Sequence, residues 1–147
     1  MKITICGSMA FFDEMLQVKQ ELEELGHSVK MPLTEITDNT GKVISVTQYY
    51  KLRNKITNEK SWVWDTKADA IRTHFEKIEW SDVIIVLNYT KNNIENYVGG
   101  NTFLEMGVAF HVDKPIYLLN KIPELAYKEE LLGLKPIILN NNLKLIK

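Results

Sequence analysis

The segment Val83-Ile-Ile-Val-Leu87 limits the possible folds more than any other stretch of the chain. It is an unbroken apolar run, mostly β-branched, with no polar alternation. Such a run suits a strand buried on both faces, the central position of a parallel sheet covered by helices on each side. A polar loop follows, then Gly99-Gly-Asn-Thr-Phe-Leu-Glu-Met-Gly-Val-Ala-Phe110 and Lys114-Pro-Ile-Tyr-Leu-Leu119. Asn101 stands where a helix N-cap is expected. Met106, Ala109 and Phe110 share one face of the helix it would open, and Ile116–Leu119 reads as a second buried strand. The whole is a βαβ unit whose long first loop brings Gly99, Gly100 and Glu105 to one place.

The same rhythm runs through the rest of the chain. Lys2–Cys6 is a compact apolar strand broken at Gly7-Ser8, and Phe12–Leu25 is an amphipathic helix with Met15, Val18, Leu22 and Leu25 on its stripe. Gly26 is placed to end that helix, and His27–Met31 is the next strand. Residues 33–46 are irregular, with a turn at Asp38-Asn-Thr-Gly41. A mixed-polarity helix is expected over Thr47–Lys60, and Trp62 and Trp64 follow it. Another helix is expected from about Lys67 to Glu79, with Ile71, Phe75 and Ile78 inward. A short helix at Leu125–Leu132 and a fifth strand at Pro136–Leu139 complete the series. The fold class is α/β: a doubly wound, Rossmann-like or flavodoxin-like five-stranded parallel sheet in three layers, with residues 1–147 as one domain.

Composition removes several function classes. Eighteen basic and 19 acidic residues leave a net charge of −1, so there is no electrostatic footprint for nucleic acid or an anionic membrane. No stretch approaches the roughly eighteen apolar residues of a membrane span. The apolar start is too short for a signal-peptide core, which makes a cytoplasmic protein the expectation. Cys6 is the single cysteine, giving no intramolecular disulfide and no metal-ligand spacing, so no metal is expected. Neither G-x-G-x-x-G nor G-x-x-x-x-G-K-[ST] occurs; this disfavours NAD and ATP, and no cofactor is expected.

In open parallel sheets ligands bind beyond the carboxyl ends of the strands, where the strand order reverses. For an order such as 2-1-3-4-5, the flanking loops begin at Gly7-Ser8-Met9 and at Asn88-Tyr89. Gly99 and Gly100, before a helix N-terminus, allow close backbone approach, and the free N–H groups there favour an anion. Glu105, early in that helix and flanked by Phe103, Leu104, Met106 and Val108, faces the crevice. The helix dipole would favour its ionised form, and desolvation would oppose this. Asp82 opens its strand and belongs to the opposite rim, in a structural role.

These residues together resemble the nucleoside 2-deoxyribosyltransferase superfamily, which includes 2′-deoxynucleoside 5′-phosphate N-hydrolases. The likeness lies in Gly99-Gly-Asn-Thr-Phe-Leu-Glu-Met-Gly-Val-Ala-Phe with Lys114-Pro-Ile, in Cys6-Gly7-Ser8, in Leu25-Gly26-His27-Ser-Val and in Ser81-Asp82-Val-Ile-Ile-Val. It leaves out about residues 33–66. The resemblance implies cleavage or exchange of the N-glycosidic bond of a nucleoside or its 5′-monophosphate, with Glu105 as nucleophile. It also implies a second group that protonates the departing base. The hydrolase branch carries an aspartate eight residues before the strand-opening aspartate, where this chain has His74, and the strand-one tyrosine of that branch is absent. Asp65 and Asp69, one helical turn apart, are alternative carboxylates. Substrate contacts are expected at Gly7, Ser8, Met9, Asn88, Tyr89, Gly99, Gly100 and Asn101, with Tyr97 as a further aromatic face. Trp62 and Trp64 would cap the site or fill a subunit contact, His27 and His111 are read as structural, and a homo-oligomer is implied. A non-catalytic nucleotide-binding module and a flavodoxin-like electron carrier are the competing readings.

Overall fold

Strands β1 (Lys2–Gly7), β2 (Ser28–Lys30), β5 (Val83–Leu87), β6 (Ile116–Leu118) and β7 (Ile137–Ile138) form one sheet in the order β2-β1-β5-β6-β7. Every pairing in it is parallel. Counted within the sheet, this is the 2-1-3-4-5 order expected from the sequence. The computed structural model describes residues 1–147.

The β5 run behaves as its composition dictates. Val83, Ile85 and Leu87 join Ile3 and Ile5 in a core beneath helix α1 (Phe12–Glu24), which contributes Met15, Val18 and Leu22. Ile84 and Val86 point the other way, with Cys6, to a second core. Helices α3 (Trp62–Trp80), α4 (Gly100–His111) and α5 (Lys128–Gly133) supply Ile78, Met106, Ala109 and Leu131 to it. The two-residue period of a strand thus feeds two separate cores and gives three layers. Gly26, at φ +89°, turns the chain out of α1. Leu25 lies outside that stripe, exposed at the helix end.

Several boundaries differ from those read off the sequence. Residues 33–46 contain an antiparallel hairpin, β3 (Glu35–Thr37) with β4 (Val43–Ser45), around the expected turn. Helix α2 (Val46–Asn54) follows directly, because Ser45 and Gln48 form a reciprocal capping box. Trp62 and Trp64 belong to the first turn of α3, which Ser61 caps, so that helix starts five residues before Lys67. Helix α5 begins at Lys128 rather than Leu125. On α4 the buried residues are Thr102, Glu105, Met106 and Ala109, and Phe110 is exposed; the inward stripe sits one position N-terminal of that expected.

Ile36, Ile44, Tyr49 and Val63 make a small third core, separate from the main two. Tyr49 donates its hydroxyl to the Val63 carbonyl at 2.6 Å, tying α2 to the start of α3. The hairpin and α2 therefore form a canopy anchored on the N-terminal turns of α3. Those turns stand at the carboxyl end of the sheet, because α3 runs back to enter β5 at its amino end.

Candidate active site

Beneath the canopy lies a cleft of about 240 Å3. Its lips are the turn after β1 (Gly7, Ser8, Met9) and the start of α4 (Gly99, Gly100, Asn101), and Glu105 and His74 lie on its floor. Chain segments nearly a hundred residues apart meet here because β1 and β5 are adjacent strands and their following loops leave the same edge.

Two of these lip positions are crowded, Gly7 against backbone and Gly99 against the end of a side chain. A Cβ on Gly7 would sit 3.0 Å from the Leu87 carbonyl oxygen, so β1 and β5 approach too closely at their ends for any side chain. A Cβ on Gly99 would come within 3.0 Å of the Tyr97 ring. Gly99 is itself the N-cap of α4, which corrects the expectation for Asn101. Asn101 sits inside the first turn, and its amide donates to Glu105 Oε1 at 2.9 Å. One turn separates the two residues, so the carboxylate reaches back to the amide.

Three buried groups from three elements converge on the floor. Thr4 and Cys6, two residues apart, face α3 from β1; the Thr4 hydroxyl bonds the Lys77 carbonyl at 2.7 Å, and Cys6 Sγ lies 3.4 Å from His74 Nε2. Glu105 Oε1 is 3.8 Å from the same His74 nitrogen. The second carboxylate oxygen, Oε2, is buried without a hydrogen-bond partner, as is His74 Nδ1. Cys6 was not among the expected site residues. Its signal was hidden because positions 6, 74 and 105 share no motif and are joined only by the fold.

Burial governs the charge state of this trio. Glu105 is pushed up to about 8, chiefly by desolvation, with its contacts to Cys6 and the charge of Lys67 acting weakly against it. The helix N-terminus does not win there, contrary to the dipole argument, because a carboxyl only 3 % exposed loses more hydration than it regains. Desolvation, then the charge of Lys77, lowers His74 to about 4. Burial also raises the Cys6 thiol well above its ordinary value. At neutral pH the floor therefore consists of a carboxylic acid, a neutral imidazole and a thiol.

The rest of the lining has the opposite character. Arg53, Lys67, Lys77 and Lys91 line the cleft, and Glu105 is the sole acidic residue that does. Arg53 lies over the Tyr50 ring at 3.9 Å, and Lys91 donates to Ser8 Oγ at 2.8 Å. Lys77 donates to the Met31 carbonyl at 2.8 Å. Tyr49, Tyr50 and Tyr97 add aromatic surface. Arg53 and Arg72 are the only arginines, and the sequence suggests little phosphate role for either; Arg53 lines the cleft and Arg72 does not, while Lys67 and Lys91 are ordinary helix and loop cations in the sequence.

Other expected residues lie elsewhere. Asp69 is 81 % exposed and pairs with Arg72 at 3.8 Å, and Asp65 is exposed too, so neither carboxylate faces the cleft. Their position on α3 is set by the inward stripe of Lys67, Ala70, His74 and Lys77, which turns them outward. Asn88 is fully buried, but its amide is consumed by the loop. It donates to the carbonyls of Asn96, Asn120 and Lys121, and its oxygen accepts from the Asn120 N–H at 2.8 Å. Tyr89 packs edge-on against Phe11 at 5.4 Å, on the α1 side of the sheet. Trp62 packs on the third core, and Trp64 donates to the Asn58 carbonyl at 2.9 Å; neither lines the cleft. Asp82 lies on the opposite rim, accepting from the Lys2 N–H at 2.7 Å.

No helix is long and apolar enough to cross a membrane. No protein-family model matches the sequence, and no curated protein does. Among solved structures, the chain is similar to a 2-deoxyribosyltransferase from the psychrotolerant bacterium Bacillus psychrosaccharolyticus. Identity is 19 %, covering 81 % of this chain and 72 % of that one, with a TM-score of 0.49. It is also similar to the Clostridium botulinum CMP N-glycosidase BcmB, at 18 % identity, covering 94 % of this chain and 85 % of that one, with a TM-score of 0.47.

Proposed function

We propose that this chain cleaves or exchanges the N-glycosidic bond of a nucleoside or nucleoside 5′-monophosphate, with Glu105 as the attacking carboxylate. One observation carries the reading: a buried carboxyl group stands at the floor of the cleft, between the Gly7-Ser8 turn and the Gly99-Gly100 helix start. The resemblance noted in the sequence assigns the nucleophile to this same position.

A carboxylate there suits an oxocarbenium-like transition state, because it meets positive charge developing at the anomeric carbon and then bonds to it. Glu105 must first give up its proton; His74 Nε2, 3.8 Å from Oε1, is the neighbouring base, and the two must close to hydrogen-bond distance when substrate binds. Burial holds Glu105 above and His74 below their ordinary ranges, so the transfer is uphill in the empty site. Positive charge building on the sugar offsets this cost. The imidazolium then returns the proton to the base as its bond to C1′ breaks, so one proton unmasks the nucleophile and neutralises the leaving group. Water, or a second base, opens the glycosyl ester and regenerates Glu105.

The cationic wall supports a 5′-monophosphate over a free nucleoside, with Arg53, Lys91 and Ser8 as phosphate partners. A panel of deoxynucleosides and their 5′-monophosphates, assayed for free base, tests the proposal. Release from at least one member, abolished in Glu105→Ala, is the expected result. Absence of release from every member would leave the second reading, a nucleotide-binding module. That reading is favoured by the lack of any second carboxylate on the cleft wall, and a nucleotide-dependent rise in Tm without turnover would identify it.

A further inference from the structure

The floor trio has a use besides proton transfer. Cys6 Sγ, His74 Nε2 and a Glu105 oxygen all lie within 4.8 Å of one another and are buried. Tetrahedral coordination at about 2.3 Å to sulfur and about 2.05 Å to nitrogen separates those two ligand atoms by about 3.6 Å. Cys6 Sγ and His74 Nε2 are 3.4 Å apart. Glu105 Oε1 is 3.8 Å from the histidine and accepts from Asn101, so the carboxylate must move inward to complete a set whose atoms already lie within 4.8 Å. Its partner oxygen Oε2 is buried with nothing to bond, which leaves a second donor atom ready at the same point.

We infer that Cys6, His74 and Glu105 form a binding site for a thiophilic divalent ion of the Zn2+ class, and that occupancy shuts off the reaction at Glu105. Binding exchanges the metal for the thiol proton and the carboxyl proton. One dication then meets one thiolate, one carboxylate and a neutral imidazole, and the buried site stays electrically neutral. A hard ion such as Mg2+ is selected against, since it demands an octahedral oxygen shell and gains little from sulfur. The ion would engage the electron pairs that the nucleophile and the proton acceptor use. The metal-binding half of this inference stands on geometry alone, and the inhibitory half rests on the proposed role of Glu105.

Cobalt(II) titration of tag-free protein, followed by absorption spectroscopy, tests it. Cys6 is the single cysteine of the chain, so any thiolate-to-cobalt charge-transfer band reports this site without a variant. The expected result is a charge-transfer band saturating at one ion per chain, with the intense visible bands of four-coordinate cobalt. Zn2+ added in equal amount should remove both sets of bands, and Mg2+ should leave them unchanged. Glu105→Gln should weaken cobalt binding at least tenfold. Absence of the charge-transfer band, or saturation at one ion per two chains, would overturn the site. Base release should fall in proportion to Zn2+ occupancy and return with a chelator; full activity in the zinc-loaded protein would overturn the inhibitory role alone. A metal-free protein that releases no base but binds cobalt through Cys6 would instead refute the proposed reaction and keep the site.

Discussion

The floor of the cleft and its canopy are built on different principles. The floor hangs from the ends of β1 and β5 and the inner faces of α3 and α4, where Cys6, His74 and Glu105 are buried and uncharged at neutral pH. The canopy rests on a core of Ile36, Ile44, Tyr49 and Val63, and it presents Arg53 and Tyr50 to the same space. Rigid, desolvated surroundings tune the ionisation of an acid; a cationic, half-exposed wall attracts an anion and tolerates variation. In the proposed reaction the floor makes and breaks bonds and the canopy chooses the substrate.

The largest effect that separates them is on turnover. Glu105→Ala should lower kcat by on the order of 10³-fold or more with the protein still folded by circular dichroism. Arg53→Ala, on the canopy, should instead raise KM for 5′-monophosphates about tenfold and leave kcat within about twofold. If both variants lose kcat equally, the division of labour is wrong.

The pH profile sharpens the comparison. The productive floor carries one proton shared by Glu105 and His74, so kcat/KM should be level between the two ionisations. It should fall below about 4, where His74 gains a second proton, and above about 8, where Glu105 loses the only one. Lys67, whose charge lowers Glu105, links wall to floor: Lys67→Met should move the alkaline limb upward. A rate that climbs through pH 8 in the wild type would show that the departing base does not take its proton from this pair.

Smaller effects appear in stability. Glu105 is raised in the folded protein, so its contribution is complete below about 4.5 and is lost as pH rises through about 8. His74 is lowered, so its contribution grows between about 4 and 6.5 and opposes the first over that range. Only the Glu105 effect remains from 6.5 to 8. Wild-type Tm should therefore decline across that window, and Glu105→Gln should melt several degrees higher than wild type at pH 9. The smallest change is at the lip. Gly100→Ala meets nothing within 4 Å and should leave Tm unaltered, whereas Gly99→Ala must displace Tyr97 and should lower it by a few degrees.

How much of this was legible in the sequence follows the same division. Unbroken and alternating apolar runs are long in β1, β5 and α1, so the sheet, its order and the crevice were readable there. The Gly7-Ser8 and Gly99-Gly100 turns and Glu105 could be placed because loop positions follow from strand order. The β3–β4 hairpin was missed because each strand spans three residues with one buried side chain, too short for a period to register. Asn101 was read as a cap from its residue type, whereas the fold gives the cap to Gly99 and uses the Asn101 amide on Glu105. Strand order and helix direction place Asn88 and Asp69 near the crevice, but only packing decides which way a side chain turns: it points Asp69 outward and uses Asn88 to fasten a loop. The places of Cys6, Lys67 and Lys91 at the site were illegible, since only the packing of distant segments gives them neighbours.

The most direct test of the account is acid-quenched peptide mass spectrometry of the protein during turnover of a deoxynucleoside 5′-monophosphate. A Glu105 nucleophile predicts one sugar-phosphate adduct per chain on the peptide containing Glu105, absent from Glu105→Gln. An adduct on another residue, or undiminished base release by Glu105→Gln, would contradict it.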